Sequence, residues 1–225
     1  MSESEQQRLT LRPDMALARL EDEARRLLVR PGRAVLGIAG GPGVGKSTLA
    51  QRLVENLNAR DHGLAAYVPM DGFHMRHAKL EQLGTVADKG MPHTFEPGAF
   101  TALLAQLRTA HGPVSVPGYS RKIEDVVEDA FTVAADTRLI IAEGNYLLLA
   151  NSPWWRIKPL LDLSVFIEVP RGLVERRLMK RHAEEGLFGE ERNRAHIARV
   201  DLPNFDLVMR SRNRADIVIS LLTES

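Results

Sequence analysis

The chain has 225 residues, 30 Lys+Arg against 29 Asp+Glu, a formal net charge of +1 and no cysteine. That length suits one domain with a substantial core, and so small a charge offers no global field for nucleic acid or an anionic membrane; an anionic ligand needs a local site. The absence of cysteine excludes a disulfide framework, a thiol nucleophile and a thiolate metal site.

The opening stretch "MSESEQQRLTLRPD" carries no apolar core of signal-peptide length, and nowhere do about 18 apolar residues run together. The expectation is a soluble, cytoplasmic protein with neither membrane nor nucleic-acid partners. A helix is expected over about 14–30, with Asp14 as N-cap and Leu17, Leu20, Ala24, Leu27 and Leu28 along one side. The strand "AVLGIA" (Ala34–Ala39) follows.

Gly40, four residues, then Gly45-Lys46-Ser47 satisfies the P-loop pattern G-x-x-x-x-G-K-S/T, set between that strand and a helix with Leu49, Leu53 and Leu57 on one stripe. Glycines let the backbone pass close to phosphate oxygens and turn successive N–H groups into one concavity. The expected nucleotide-binding residues are Gly41, Gly43, Val44, Gly45, Lys46, Ser47 and Thr48, with Lys46 on the β- and γ-phosphates, Ser47 on Mg²⁺ and the positive helix end adding to the site. The turn therefore reads as a holder of a nucleoside triphosphate.

The next strand, "AAYVPM" (Ala65–Met70), delivers Asp71 to the carboxyl edge of a parallel sheet, the edge that also carries the P-loop. There Asp71 could accept the proton of an attacking hydroxyl or hold Mg²⁺ through water. The stretch Asp71–Pro97, rich in Gly, His and Pro, interrupts the α/β alternation as a working loop does. A helix with Phe100, Leu103, Leu104 and Leu107 on one stripe comes after it. The strand "RLIIA" (Arg138–Ala142) ends on Glu143 in a Walker-B arrangement, reaching Mg²⁺ directly or through water. GTPases would favour Asp-x-x-Gly there and Asn-Lys-x-Asp further on, and neither is present. Trp154 and Trp155 read as packing residues.

After the strand "SVFIEV" (Ser164–Val169), Pro170 starts and Gly186 could end a helix that carries Arg177 and Arg181 four apart on one face. Such arginines can close over a triphosphate and neutralise the transferring group, so the span 171–204 reads as a lid, with the group of arginines assigned and not its individual members. The last strand is "ADIVIS" (Ala215–Ser220). The sum is a single α/β domain over 1–225, a three-layer P-loop NTPase sandwich with a parallel five-stranded central sheet and a small helical lid.

In order, "GGPGVGKSTLA", "MDGFH", "KGMPHTFEP", "VPGYSR", "EGNYLLL", "RRLMKRH" and "RSRNRADIVI" resemble the P-loop kinases of the pantothenate kinase, uridine kinase and phosphoribulokinase type, and most of all the bacterial nucleoside/nucleotide kinase-like group called fructose transport system kinases. The resemblance covers nearly all of the chain after about Arg33. It implies ATP as donor, Mg²⁺ as cofactor, Asp71 as catalytic base, an arginine-bearing lid, and an acceptor pocket near Lys89, His93, Glu96, Tyr119, Arg121 and Glu124. In pantothenate kinases the segment like "VPGYSRKIEDVV" carries a histidine and a further tyrosine where Arg121 and Glu124 stand here, which argues against pantothenate. The expected reaction is transfer of a γ-phosphoryl group to a hydroxyl of a nucleoside, a sugar or a related polyol. A nucleotide acceptor stays open, with Arg76 and Arg121 as candidate members of a second phosphate cluster; so do a homodimer and a regulatory ATP switch with little turnover.

Overall fold

The apolar runs assemble into a wholly parallel sheet in the computed structural model, which describes residues 6–185 and 189–222. The elements run β1 (Gln7–Leu11), α1 (Pro13–Leu28), β2 (Ala34–Ala39), α2 (Lys46–Asn58), β3 (Ala65–Pro69), α3 (His77–Leu83), α4 (Pro97–Thr109), β4 (Val114–Ser120), β5 (Asp125–Val133), β6 (Leu139–Gly144), β7 (Leu163–Glu168), α5 (Arg171–Glu185), α6 (Glu190–His196), α7 (Leu202–Met209) and β8 (Ile217–Leu221). The strand order is β1-β8-β7-β2-β6-β3.

Side chains alternate faces along each central strand, and both faces are covered. On β2, Leu36 and Ile38 join one core layer and Val35 and Ala39 the other; on β6, Leu139 and Ile141 part in the same way from Ile140 and Ala142. The first layer takes Leu17, Leu20 and Leu27 of α1 and Leu49, Leu53 and Leu57 of α2. The second takes Phe100, Leu104 and Leu107 of α4 with Tyr146, Leu148 and Trp154. Trp154 is buried in this layer whereas Trp155 is exposed. Burial on both faces is why these strands read as continuous apolar runs.

The sheet has six strands, not the five expected. The extra one is β1, which pairs only with β8 and leaves most of its side chains exposed or half-buried, so it needs no apolar run to form. Helix α1 starts at Pro13, whose fixed φ suits the first helical position, and Asp14 lies in its first turn instead of capping it. The second departure is larger: the "VPGYSR" stretch, not among the expected strands, lies in the first half of an antiparallel hairpin of β4 and β5 with a register shift between Val116 and Gly118. Val114, Val116 and Val133 are buried by it, and its cross-strand pairing leaves no local signal strong enough to outweigh the proline.

Gly72 joins this hairpin to the sheet edge. In the 3-10 turn Met70–Phe73, a Cβ on Gly72 would stand 2.3 Å from the Pro117 carbonyl oxygen, so only glycine lets the two main chains meet. The span expected as a lid contains α5, α6, a π-helical stretch Ile197–Asp201 and the start of α7. Helix α5 begins directly after Pro170 and sinks Val174 and Leu178 into the first core layer; Gly186 lies outside the described residues. Among the described residues no helix is long and apolar enough to cross a membrane.

Candidate active site

The P-loop connects β2 to α2 across the carboxyl end of the sheet. Gly45, immediately before the helix, has φ 99°, a left-handed conformation that a side chain would strain, and from it the chain enters α2 with Lys46 as first residue. Lys46 is only 6% exposed. Its Nζ donates to the Gly41 carbonyl at 2.9 Å and to Asn145 Oδ1 at 2.8 Å, and stands 3.6 Å from Glu143 Oε1.

Glu143 is the next-to-last residue of β6, in register with Ile38 of β2 and Pro69 of β3, so the sheet itself carries its carboxylate to the loop. Its Oε2 accepts hydrogen bonds from Ser47 Oγ at 3.0 Å and Tyr67 OH at 2.8 Å. A hydroxyl and a carboxylate held together at the mouth of a glycine-rich cradle are hard oxygen donors suited to Mg²⁺. Burial pushes Lys46 down and Glu143 up, and each charge pulls the other back toward its ionised form. Burial also raises the Tyr67 hydroxyl, with the Glu143 carboxylate adding to it, so Tyr67 is a donor.

Asp71 follows β3 in the 3-10 turn, and its charge is felt by Lys46 and by Glu143. His74 donates from Nδ1 to the Asp71 carbonyl at 2.8 Å and stacks between Phe95 and Tyr119, with ring centroids 3.9 and 4.7 Å away. Burial holds its imidazole below the ordinary value despite nearby Asp71, so Nε2 is an acceptor in the neutral ring.

These groups open into one cavity of about 440 Å³. Of the residues expected from sequence, its wall contains Gly43, Gly45, Lys46, Ser47, Thr48, Asp71, Glu143, Arg177 and Arg181. Lys89, Tyr119, Arg121 and Glu124 also line it. Arg177 donates to the Gly43 and Val44 carbonyls at 3.4 and 3.3 Å, holding α5 across the loop. Lys89 Nζ bonds the Glu124 carbonyl and lies 5.3 Å from the Tyr119 ring centroid. Burial, then Glu124, raises the Tyr119 hydroxyl.

Five expected residues stand outside the wall. Val44 is fully buried and Gly41 packs against Phe205, so both serve the shape of the loop. His93 faces Asp88 at 3.3 Å on the half-exposed rim. Arg76 and Glu96 are likewise not brought in: Arg76 pairs with Glu128 and Glu96 with Lys79.

Sequence reasoning missed Tyr67, His74, Asn145, His196, Asp201 and Asn204, all of which touch the cavity or its buried acid. Asn145 was legible in principle, two residues after a strand-ending glutamate; the helical residues 196–204 carried no motif.

A profile of the Phosphoribulokinase / Uridine kinase family matches residues 35–225. The protein YggC of Escherichia coli (strain K12) is 35% identical over 194 residues, which span 85% of this chain and 79% of that one. A provisionally named uridine kinase of Schizosaccharomyces pombe is 32% identical over 210 residues, 90% of this chain and 89% of its own. The crystal structure of a provisionally named fructose transport system kinase from Silicibacter sp. TM1040 superposes with a TM-score of 0.81 at 34% identity, covering 90% of this chain and 98% of that one.

Proposed function

The chain belongs to the phosphoribulokinase/uridine kinase family of P-loop kinases, and on that premise we propose that it transfers the γ-phosphoryl group of ATP to a hydroxyl of a small metabolite, a nucleoside, a sugar or a related polyol. The observation that carries the reading is a single cavity with a P-loop lysine and a buried acid on one side and Asp71 with a polar hairpin on the other.

The residues fit ATP and Mg²⁺. A glycine cradle meets a buried ammonium, and Ser47 and Glu143 converge their oxygens at 3.0 Å beside it. Mg²⁺ supplies neutralisation of charge on the β- and γ-phosphates when bound. Lys46 and the loop amides hold the triphosphate tail, with Ser47 and Glu143 as the metal's protein donors. Tyr67 fixes the rotamer of Glu143, and Asn145 aims Lys46. Asp71 takes the proton of the acceptor hydroxyl as its oxygen bonds the γ-phosphorus and the bond to ADP breaks. Arg177 and Arg181 add positive charge at the loop, and Leu178 between them limits water.

On the acceptor side, Lys89, Arg121, Glu124 and the Tyr119 hydroxyl offer donors and acceptors for an oxygen-rich substrate. Arg121 and Glu124 in the positions that differ from pantothenate kinases support an acceptor other than pantothenate.

The test is a screen of ATP consumption over nucleosides, sugars, polyols and vitamin precursors with the wild type and Asp71→Asn. A responder with turnover at least about 10²-fold lower in Asp71→Asn, at unchanged ATP affinity, supports the assignment. Equal turnover in the variant removes the base. Nucleotide affinity with no responder points to a regulatory switch.

A further inference from the structure

His182 on α5, His196 at the end of α6 and Asp201 at the end of the π-helical stretch bring two imidazoles and one carboxylate together, and one donor atom from each lies within 4.8 Å of the others. We infer that these three residues form a binding site for one divalent d-block cation of the Zn²⁺ class, distinct from the Mg²⁺ donors Ser47 and Glu143.

The geometry is already close to what such an ion needs. His182 Nε2 stands 3.0 Å from Asp201 Oδ2, and the two imidazole centroids are 5.5 Å apart at 66°. Ligands held at roughly 2.0–2.2 Å from Zn²⁺ lie about 3–4 Å from one another, so small side-chain rotations close the set. Two nitrogens with one oxygen suit Zn²⁺, Co²⁺ or Ni²⁺, whereas Mg²⁺ and Ca²⁺ favour oxygen alone.

The backbone supplies an independent argument. In a regular α-helix, residues five apart point about 140° away from each other. Between His196 and Asp201 the chain is π-helical, with the Leu202 N–H bonded back to the Ile197 carbonyl. That wider turn returns the side chain of residue 201 toward that of 196, and single π turns of this kind accumulate at functional sites.

The site is sheltered yet reachable. The side chains of His182 and Asp201 are 15% and 11% exposed, and all three residues line the cavity. Three protein ligands would leave further coordination positions on the ion, and Lys89 and Tyr119 line the same cavity. A hydrogen-bonded His182–Asp201 pair alone would leave unexplained why a second imidazole and an unwound turn converge on it.

The experiment strips the full chain with chelator and titrates Co²⁺ by visible absorption and Zn²⁺ by thermal melting, with millimolar Mg²⁺ present and no nucleotide. Expected are one Co²⁺ per chain with d–d bands, and a rise in Tm of roughly 5–10 °C at about 100-fold excess over the Zn²⁺ dissociation constant. His182→Ala and His196→Ala should lose the bands, and Asp201→Asn should weaken binding about tenfold or more. His196→Gln, with the melting temperatures of the metal-free variants, separates lost ligation from lost folding. Ser47→Ala should bind Co²⁺ as the wild type does. No band, an equal band in His196→Ala, or loss of the bands when Mg²⁺ is raised about tenfold overturns the site, leaving a hydrogen-bonded pair. None of these readings depends on phosphoryl transfer, so they stand or fall apart from the kinase assignment.

Discussion

The donor wall of the cavity comes from the loop between β2 and α2 and the end of β6, whereas the opposite wall collects His74, Lys89, Tyr119, Glu124, Asp201 and Asn204 from four separate segments. The first is mostly main chain, cradled by glycines and bolted to the core through Leu49 and Leu53. The second is mostly side chain, carried by a hairpin, a loop and the helices after α5. A main-chain site fixes one chemistry and tolerates little change; a side-chain site can be re-lettered one residue at a time.

The sharpest way to break that contrast is at its two ends. Lys46→Ala removes the buried cation of the donor wall and should lower ATP turnover by at least about 10³-fold, measured as steady-state ADP release. Survival of turnover would mean that phosphate is not held there. Acidity acts next, through the donor wall's buried acid. Burial keeps Glu143 above the ordinary carboxylate value, against the pull of Lys46, so its proton is retained to higher pH. Mg²⁺ affinity, followed by titration calorimetry in the presence of a non-hydrolysable ATP analogue, should therefore fall as pH drops through that raised value; Glu143→Gln should bind weakly without this dependence.

On the acceptor wall single changes should be gentler. Lys89→Ala should raise the acceptor KM about tenfold while leaving ATP binding within about twofold, since one hydrogen-bonding partner is lost from a shared surface. A matching loss of ATP affinity would show that the two walls are not separable. His93→Ala, on the rim beside Asp88, should change kcat/KM by less than about twofold.

The same contrast explains what is legible in the sequence. The P-loop announces itself because glycine spacing, lysine and hydroxyl are contiguous, and Glu143 because an apolar strand ends on an acid. Asp71 follows from the position of its strand. The sixth strand escaped because an edge with one partner requires no apolar run, and the β4–β5 hairpin because Pro117 masks pairing that depends on residues up to 133. Tyr67 sits in an ordinary-looking strand and is revealed only by its 2.8 Å bond to an acid 76 residues later. His196 and Asp201 become neighbours through a π turn, for which sequence periodicity offers no template. Conversely, "KGMPHTFEP" suggested three acceptor residues and only Lys89 reaches the cavity, since His93 and Glu96 are drawn to Asp88 and Lys79.

The contact of Gly72 with the Pro117 carbonyl works like a gauge block. Two main chains, with no side chain interposed, set the clearance between Asp71 and the hairpin that carries Tyr119, Arg121 and Glu124. Whatever letters occupy those three positions, the gap itself is held constant, so a new acceptor can be accommodated by exchanging side chains along a fixed ruler while the reach of Asp71 is preserved.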